Sequence, residues 1–458
     1  MGNLRTVLEQ IIEDKERIIT EHIEKKYLSD VLGRKQGTAA ALVFVQSTEE
    51  VSRIMQYAYE SRIPVTPRAA GTNLVGSTVP RGNGIILDFS RMNRILELDE
   101  ETFTATVEPG VVLQDFQSYV EERGLFYPPD PGEKTATIGG NIATNAGGMR
   151  AVKYGVTRDY VMGLELVLAD GTVIEAGSKN RKDTTGLDLK QLVIGSEGTL
   201  AVITKCIVKL IPKPETSLSV LVSFDSLKSG IEAVPQVIRA NLNPTAIEFV
   251  ERKVIKCGED FLGLHFPEPE AQAYLILTFD GTKSEIQEHV KRLYRVAEQC
   301  GARSVTELSD AAVASNVWKI RGVLVKAVES VSEQEPLDIV VPINRIADFV
   351  NFVNEQDKLT GIHMISFGHA GDGNVHLCIL RENRTEEAWE KDLDSILNIL
   401  YAKAYELGGL TSGEHGLGTS KRPYFFKETP EANIALMNRL KHAFDERHIL
   451  NEGISYTR

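Results

Sequence analysis

Residues Thr135–Gly148 read TATIGGNIATNAGG, a run with four glycines, no charged side chain and small residues nearly throughout. It is too irregular for an amphipathic helix and too rich in glycine for an ordinary strand. Glycine lets a backbone approach a ligand closely and adopt dihedrals closed to other residues. Successive N–H groups in such a loop can surround an anion, usually a phosphate or pyrophosphate. A tight, buried turn between core strands fits the same letters. Two other features favour the ligand cradle: a second loop of the same character upstream, and a metal-like cluster far downstream.

Working upstream, Ala40–Gln46 (AALVFVQ) reads as a buried strand. Ser47 and Glu50 make a capping-box pattern that opens a helix through Tyr59. Ile63–Pro67 is the next strand, followed by the small-residue loop Arg68–Ser77 (RAAGTNLVGS), and Gly84–Phe89 is a third strand. The dinucleotide fingerprint G-x-G-x-x-G opening a helix is absent, as is G-x-x-x-x-G-K-[ST]. A bound nucleotide therefore needs another scaffold, and for Arg68–Ser77 alone a plain surface loop is the favoured account over a ligand loop. A second lobe follows, with a strand at Thr102–Val107 and a helix at Gly110–Gly124. The turn-rich Tyr127-Pro-Pro-Asp-Pro-Gly132 then leads into the central run. Beyond it, Gly163–Ala169 and Thr172–Ala176 flank Asp170-Gly171, a strong hairpin signal. Gly195-Ser196-Glu197-Gly198-Thr199 precedes an apolar strand at Leu200–Ile211, and Pro212 and Pro214 mark a domain boundary.

The whole chain sets limits. At 458 residues it has length for two or three domains with ample core. It carries 64 acidic against 51 basic residues, a net charge of −13, which argues against a nucleic-acid-binding protein. Cys206, Cys257, Cys300 and Cys378 are scattered without a C-x-x-C pair, so neither a disulfide framework nor an iron–sulfur pattern is present. Thiols of this kind suit a reducing cytoplasm. The N-terminal twenty residues have apolar positions at helical spacing and many charges but no continuous apolar core, so they are not read as a signal peptide. No run approaches transmembrane length. The expected location is cytoplasmic.

Past Pro214 the pattern becomes alternating strands and long helices. Ser217–Phe224, Ala246–Val250, Tyr274–Phe279 and Ile339–Val341 read as strands, Ser284–Cys300 and Arg345–Leu359 as helices, the latter stopped by Gly361. That spacing predicts an α+β domain with helices on one antiparallel sheet. Two clusters here carry chemistry. Phe367–His376 (FGHAGDGNVH) holds His369 and His376 across a glycine-rich turn, and Gly408–Gly418 (GGLTSGEHGLG) holds Glu414 next to His415. Imidazole nitrogens with a carboxylate suit zinc, iron or manganese. A histidine on a strand is also an ordinary core residue, so the cluster alone leaves both readings open. In extended chain, neighbours point to opposite faces, so Glu414 and His415 are not both ligands of one ion. On a helix at Asp310–Glu329, Trp318 and Arg321 share a face. Arg321 is either a carboxylate clamp or a plain ion-pair residue.

In this order the motifs resemble those of one family. Pro67–Ser77, the PPDPG turn, IGGNIATNAGG, Tyr154–Val161 (YGVTRDYV) and GSEGTL are similar to the flavin domain of the vanillyl-alcohol-oxidase type. Within that type they resemble the glycolate oxidase flavoprotein subunit and the D-lactate and D-2-hydroxyglutarate dehydrogenases, from about Tyr27 to the C-terminus. The resemblance implies FAD lined by Pro67, Ala69, Ala70, Gly71, Thr72, Asn73, Gly76 and Ser77 of the first loop, and by Pro131 of the turn. It implies further contacts from Thr137, Ile138, Gly140, Asn141, Thr144, Asn145 and Gly148 of the central run, then from Tyr154, Gly155, Glu197, Gly198 and Ile203. Asn451, in a terminal LKHAFDERHILNEG segment, completes the set. Some relatives attach the flavin through a histidine just after the first loop's glycine. Thr72 stands there, so the implied FAD is non-covalent. The same resemblance makes His369, His376 and Glu414 metal ligands, His415 the catalytic base and Arg321 the substrate-carboxylate clamp, with Asp372 and Asn374 in turn and supporting roles. Pro336 and Cys378 stand where relatives specific for 2-hydroxyglutarate carry other residues, which favours a small substrate.

The expected protein is of α+β class. It has a two-lobed FAD-binding domain over residues 1–214, a substrate and metal-binding cap domain over 215–430 with an antiparallel sheet, and a C-terminal helix and tail over 431–458 packing back on the first. The expected function is metal-assisted oxidation of a small D-2-hydroxy acid, D-lactate before glycolate. Electrons pass to a separate acceptor protein, an electron-transferring flavoprotein or an iron–sulfur subunit. A metal-free flavin oxidase of an alcohol or sugar, and a non-catalytic flavin electron-carrier subunit, are the alternatives.

Overall fold

The computed structural model describes residues 2–454, with side chains from Leu4 onward. Its contacts divide into two compact units. The first comprises the chain up to Gly147, Gly155–Lys213 and the chain from Glu414 onward; the second comprises Gly148–Tyr154 and Pro214–Gly413. The second junction therefore falls at Gly413/Glu414, where the sequence expectation put it after residue 430. Hydrogen bonds explain the difference. Leu417 and Gly418 N–H donate to Glu197, and Thr419 N–H donates to the Val75 carbonyl at 2.9 Å, so this segment is held within the first unit.

In the first unit, Ala39–Phe44 and Val65–Arg68 run parallel to Gly84–Asp88, which lies between them, and Ile18–Ile19 pairs antiparallel on the outer edge. The crossover helix Thr48–Ser61 starts where Ser47 Oγ accepts the Glu50 N–H and ends at Arg62, which takes a left-handed conformation. It buries Val51, Ile54, Met55 and Ala58, a 3–4–7 stripe. Full burial of each larger aliphatic side chain contributes roughly 1.5–3 kcal/mol. A second, five-stranded antiparallel sheet runs Ile95–Asp99, Thr104–Val107, Val202–Lys209, Val161–Val167, Val173–Gly177. Its Asp170-Gly171 hairpin closes through the Leu168 N–H to the Thr172 carbonyl at 2.9 Å, with Gly171 at φ 88°. The tail joins the first sheet: Val65 N–H donates to the Ile449 carbonyl and Asn451 N–H to the Val65 carbonyl, both at 2.8 Å.

The central run is partly helical, against the expectation of a loop. Ile138–Thr144 is a short α-helix, capped by Thr137 Oγ1 accepting the Gly140 N–H at 3.2 Å and ended by Asn145 at φ 51°. Gly139 serves packing: a Cβ there would collide with Pro109, whose carbonyl accepts the Gly139 N–H at 2.9 Å. The predicted Gly110–Gly124 helix is shorter, Leu113–Glu121.

The second unit is built on a seven-stranded sheet. The order is Ser304–Glu307, Thr216–Phe224, Ala273–Gly281, Ala246–Glu251, Met364–His369, Asn374–Leu380, Gln334–Val340, with each neighbouring pair antiparallel. The last of these begins five residues before the predicted Ile339. Helices Lys283–Gln299 and Ile346–Thr360 match the sequence periodicity, the latter stopped by Gly361 at φ 67°. The expected helix Asp310–Glu329 is broken: Val323, following Gly322, leaves helical geometry (φ −99°, ψ 2°) and separates Ala311–Gly322 from Leu324–Glu329. Among the described residues no helix is long and apolar enough to cross a membrane.

Candidate active site

Four segments read from the sequence as a cofactor cradle converge in the first unit. Gly195 N–H donates to the Ile142 carbonyl at 3.0 Å and Glu197 N–H to the Ala143 carbonyl at 2.8 Å, joining GSEGT to the end of the central helix. Asn451 is buried and its Nδ2 donates to the Ser77 carbonyl at 2.9 Å and the Glu197 carbonyl at 2.7 Å. It thereby ties the first loop, the GSEGT turn and the tail together. Asn73 shapes the first loop, its Oδ1 accepting from Val75 and Ser77 N–H, and its Nδ2 donates to the His415 carbonyl at 3.3 Å. Gly71 and Gly76 sit at φ 70° and 74°. Gly148 and Tyr154 part from this set: both lie in the second unit, where the Tyr154 hydroxyl donates to Asp280 at 3.0 Å.

Does this cradle suit a flavin nucleotide? Asn141 Nδ2, Ser196 Oγ and Thr419 Oγ1 are buried without a protein partner. Buried polar atoms are nearly always paired, so donors stranded on these segments fit a polar ligand. Glu197 has a different task. Its carboxylate is buried and accepts the Leu417 and Gly418 N–H groups, at 3.1 Å for the nearest oxygens. Burial pushes this carboxyl up to about 7, against the opposing pull of those N–H groups and of Lys421. Gly416, at φ 83°, passes so close that an added Cβ would lie 2.6 Å from a Glu197 oxygen. Glu197 is the platform under the segment that bears His415.

In the second unit, the hairpin of Met364–His369 and Asn374–Leu380 sets His369 beside His376, with Nε2 atoms 3.3 Å apart. Two nitrogens bound tetrahedrally to one ion at about 2.0–2.1 Å lie roughly 3.3–3.4 Å from each other. Asp338 anchors the approach of the third acid. It is fully buried and accepts from Asn374 Nδ2 at 2.6 Å, Ser412 Oγ at 2.8 Å and Gly413 N–H at 3.1 Å. Glu414 is the next residue along the chain. One ligand atom from each of His369, His376 and Glu414 lies within 4.8 Å of the others. Two imidazoles and a carboxylate make a donor set that fits zinc, iron or manganese.

Arg321 approaches this cluster from the Ala311–Gly322 helix. Its guanidinium lies over the Phe367 ring at 4.9 Å and donates through Nη2 to Glu248 at 2.5 Å. Glu248 also receives His369 Nδ1 at 2.5 Å. Burial alone would push this carboxyl up, but His369 and Arg321 outweigh it and hold it below the usual range. Cys378, two residues past His376, is buried in the apolar core next to Pro336 on the paired strand, and burial pushes its thiol up to about 12.

Glu248 and Asp338 escaped the sequence reading. Each is a single acid inside an otherwise apolar run, AIEFV and PLDIVV, and that anomaly was the available signal.

Family models match along most of the chain: "FAD binding domain" over residues 39–177 and "FAD linked oxidases, C-terminal domain" over residues 213–454. The chain belongs to the FAD-linked oxidase family. It is thus an FAD-linked oxidoreductase. A D-lactate dehydrogenase of Anaerostipes hadrus is 38% identical over 450 residues, 96% of this chain and 95% of that one. The glycolate oxidase subunit GlcD of Bacillus subtilis is 39% identical over 429 residues, 93% and 91% of the two chains. Among solved structures, p-cresol methylhydroxylase superposes with a TM-score of 0.82 at 18% identity, covering 99% of this chain and 96% of its own. That likeness bears on fold, which is of the vanillyl-alcohol-oxidase type with antiparallel sheets.

Proposed function

We propose that this family member is a dehydrogenase that oxidises a small D-2-hydroxy acid, D-lactate first and glycolate next, to the 2-oxo acid. The observation that carries the reading is the packing of His369, His376 and Glu414 ligand atoms within 4.8 Å of one another. A flavoprotein that only relays electrons has no use for such a cluster. The names of the two relatives above support the substrate class.

FAD, held non-covalently, would supply the acceptor for the C2 hydride, and a divalent ion held by His369, His376 and Glu414 would supply Lewis acidity toward the substrate hydroxyl. His415 takes the hydroxyl proton as general base. Its segment is fixed for that task by Asn73 on its own carbonyl and by Glu197 on the following N–H groups. Arg321 receives the substrate carboxylate, with Phe367 under the guanidinium face and Glu248 behind it. Cys378 in the core and Pro336 paired with it supply no cation for a second carboxylate, which supports a small acid.

The electrons then pass to a separate acceptor, an electron-transferring flavoprotein or an iron–sulfur subunit, in the cytoplasm. The four free cysteines support a separate acceptor, since Cys206 and Cys378 are buried apart in different units. The test is anaerobic mixing of the flavin-loaded protein with D-lactate, glycolate and D-2-hydroxyglutarate. D-Lactate should bleach the flavin fastest, and a chelator should stop bleaching while the oxidised flavin spectrum stays in place. Full bleaching in the chelator-stripped protein would refute the metal-assisted reading in favour of a metal-free flavin oxidase, and no bleaching by any acid would refute the dehydrogenase.

A further inference from the structure

We infer that Glu248 is a positioning residue that sets the tautomer of His369 and the pose of Arg321 with one carboxylate. The inference rests on the metal-assisted reading above. Glu248 sits mid-strand in Ala246–Glu251, in register with His369 on the neighbouring strand, and its side chain is fully buried. One oxygen faces His369 Nδ1 and the other faces Arg321 Nη2, each at 2.5 Å.

An ionised carboxylate only accepts. Nδ1 of His369 must therefore carry the imidazole proton, which leaves the lone pair of the neutral ring on Nε2. That is the atom that faces His376 Nε2 at 3.3 Å. Glu248 thus presents the one nitrogen of His369 that can bind an ion. Its second oxygen takes one arm of a guanidinium whose Nε is buried with no partner, so Arg321 cannot turn without stranding more of its donors.

Glutamine makes the two duties separable. Arg321 can only donate, so the amide oxygen of Glu248→Gln must face it, and the amide NH2 then faces His369. Nδ1 has to accept, the ring proton moves to Nε2, and the ligand atom is blocked. Arg321 keeps its acceptor. A purely structural role for Glu248 would not split in this way.

The experiment titrates chelator-stripped wild type, Glu248→Gln and Glu248→Ala with zinc chloride against a chromophoric chelator, and measures KM for D-lactate at saturating zinc. Glu248→Gln should bind zinc about 10–100-fold more weakly, the range for loss of a partner behind a metal-bound histidine. Its zinc-saturated KM should stay within a few-fold of wild type. Glu248→Ala should lose zinc affinity and also raise KM. Long-range 1H–15N correlation of the imidazoles in the stripped proteins reads the tautomer without metal: proton on Nδ1 of His369 in wild type, on Nε2 in Glu248→Gln. This second measurement decides the matter even where Glu248→Ala fails to fold. A wild-type chain that takes up no zinc overturns the metal reading and this inference with it. A wild type that binds zinc beside a Glu248→Gln chain of equal affinity and unchanged tautomer overturns the role of Glu248 alone.

Discussion

Replacing Asp338 by asparagine probes how the chain delivers Glu414. The wild-type carboxylate satisfies three donors in a fully buried setting: Asn374 Nδ2, Ser412 Oγ and the Gly413 N–H. Asparagine has one oxygen for them. If that oxygen faces Asn374, the new NH2 meets the Gly413 N–H, two donors together. If it faces Ser412 and Gly413, Asn374 must turn its amide, which pairs its Oδ1, partnerless in the wild type, but strands Nδ2, whose present bond to the Ile339 carbonyl at 3.2 Å is lost. Either way at least one buried polar group goes unpaired, which costs about 1–3 kcal/mol. The change is local, so it should appear as easier opening of the Ser412–Gly413 segment. Hydrogen exchange at the Gly413 amide, followed by mass spectrometry on a peptide spanning 410–418, should quicken about 5- to 150-fold, since 1.4 kcal/mol is a factor of ten. Zinc affinity should fall in step, because Glu414 is the next residue. Unchanged exchange at Gly413 with unchanged zinc affinity would refute the anchoring argument.

His415→Ala should abolish turnover of D-lactate while flavin absorbance and zinc content stay at wild-type levels; full activity in that variant removes His415 from the mechanism. Glu197 gives a pH dependence. Its carboxyl is raised from 4.5 to about 7 in the folded protein, so the folded state holds the proton more tightly than the unfolded one. Stability from this group is complete below pH about 4.5 and is lost as pH rises through about 7, on the order of 3 kcal/mol in all. Thermal midpoints of wild type and Glu197→Gln between pH 5 and 8 should show the wild type losing ground to the variant as pH rises. Parallel profiles would refute it.

Much of the fold was legible because local chemistry and tertiary outcome agree. Ser47 with Glu50, Asp170-Gly171 and Gly361 each punctuate the chain as their residue types require, and the observed helix starts, hairpin and helix stop follow them. The misread places are those where long-range packing prevails. Glycines in Ile138–Thr144 read as loop because helix propensity counts against them. The missing side chain of Gly139 instead lets the helix lie on Pro109, a contact no local rule reveals. The break after Gly322 is of the same kind, since Ala311–Gly322 buries Val317 and Ile320 while Leu324–Glu329 buries Leu324, Ala327 and Val328 on its own short axis.

The candidate site divides along a related line. Groups that would touch a ligand announce themselves by type: paired histidines across a glycine turn, a Glu-His pair, an arginine. The groups behind them do not, because a buried acid is chemically explicable only through partners far off in sequence. Glu248 is 121 residues from His369 and 73 from Arg321; Asp338 is 74 and 75 residues from Ser412 and Gly413; Glu197 is 220 residues from Leu417. Each buried carboxyl would be costly alone and is accommodated because donors converge on it. An acid interrupting an apolar strand is therefore a question about the rest of the chain. Here the answers point the same way: Glu248 faces a proposed ligand, Asp338 holds the residue before one, and Glu197 supports the backbone just past the proposed base.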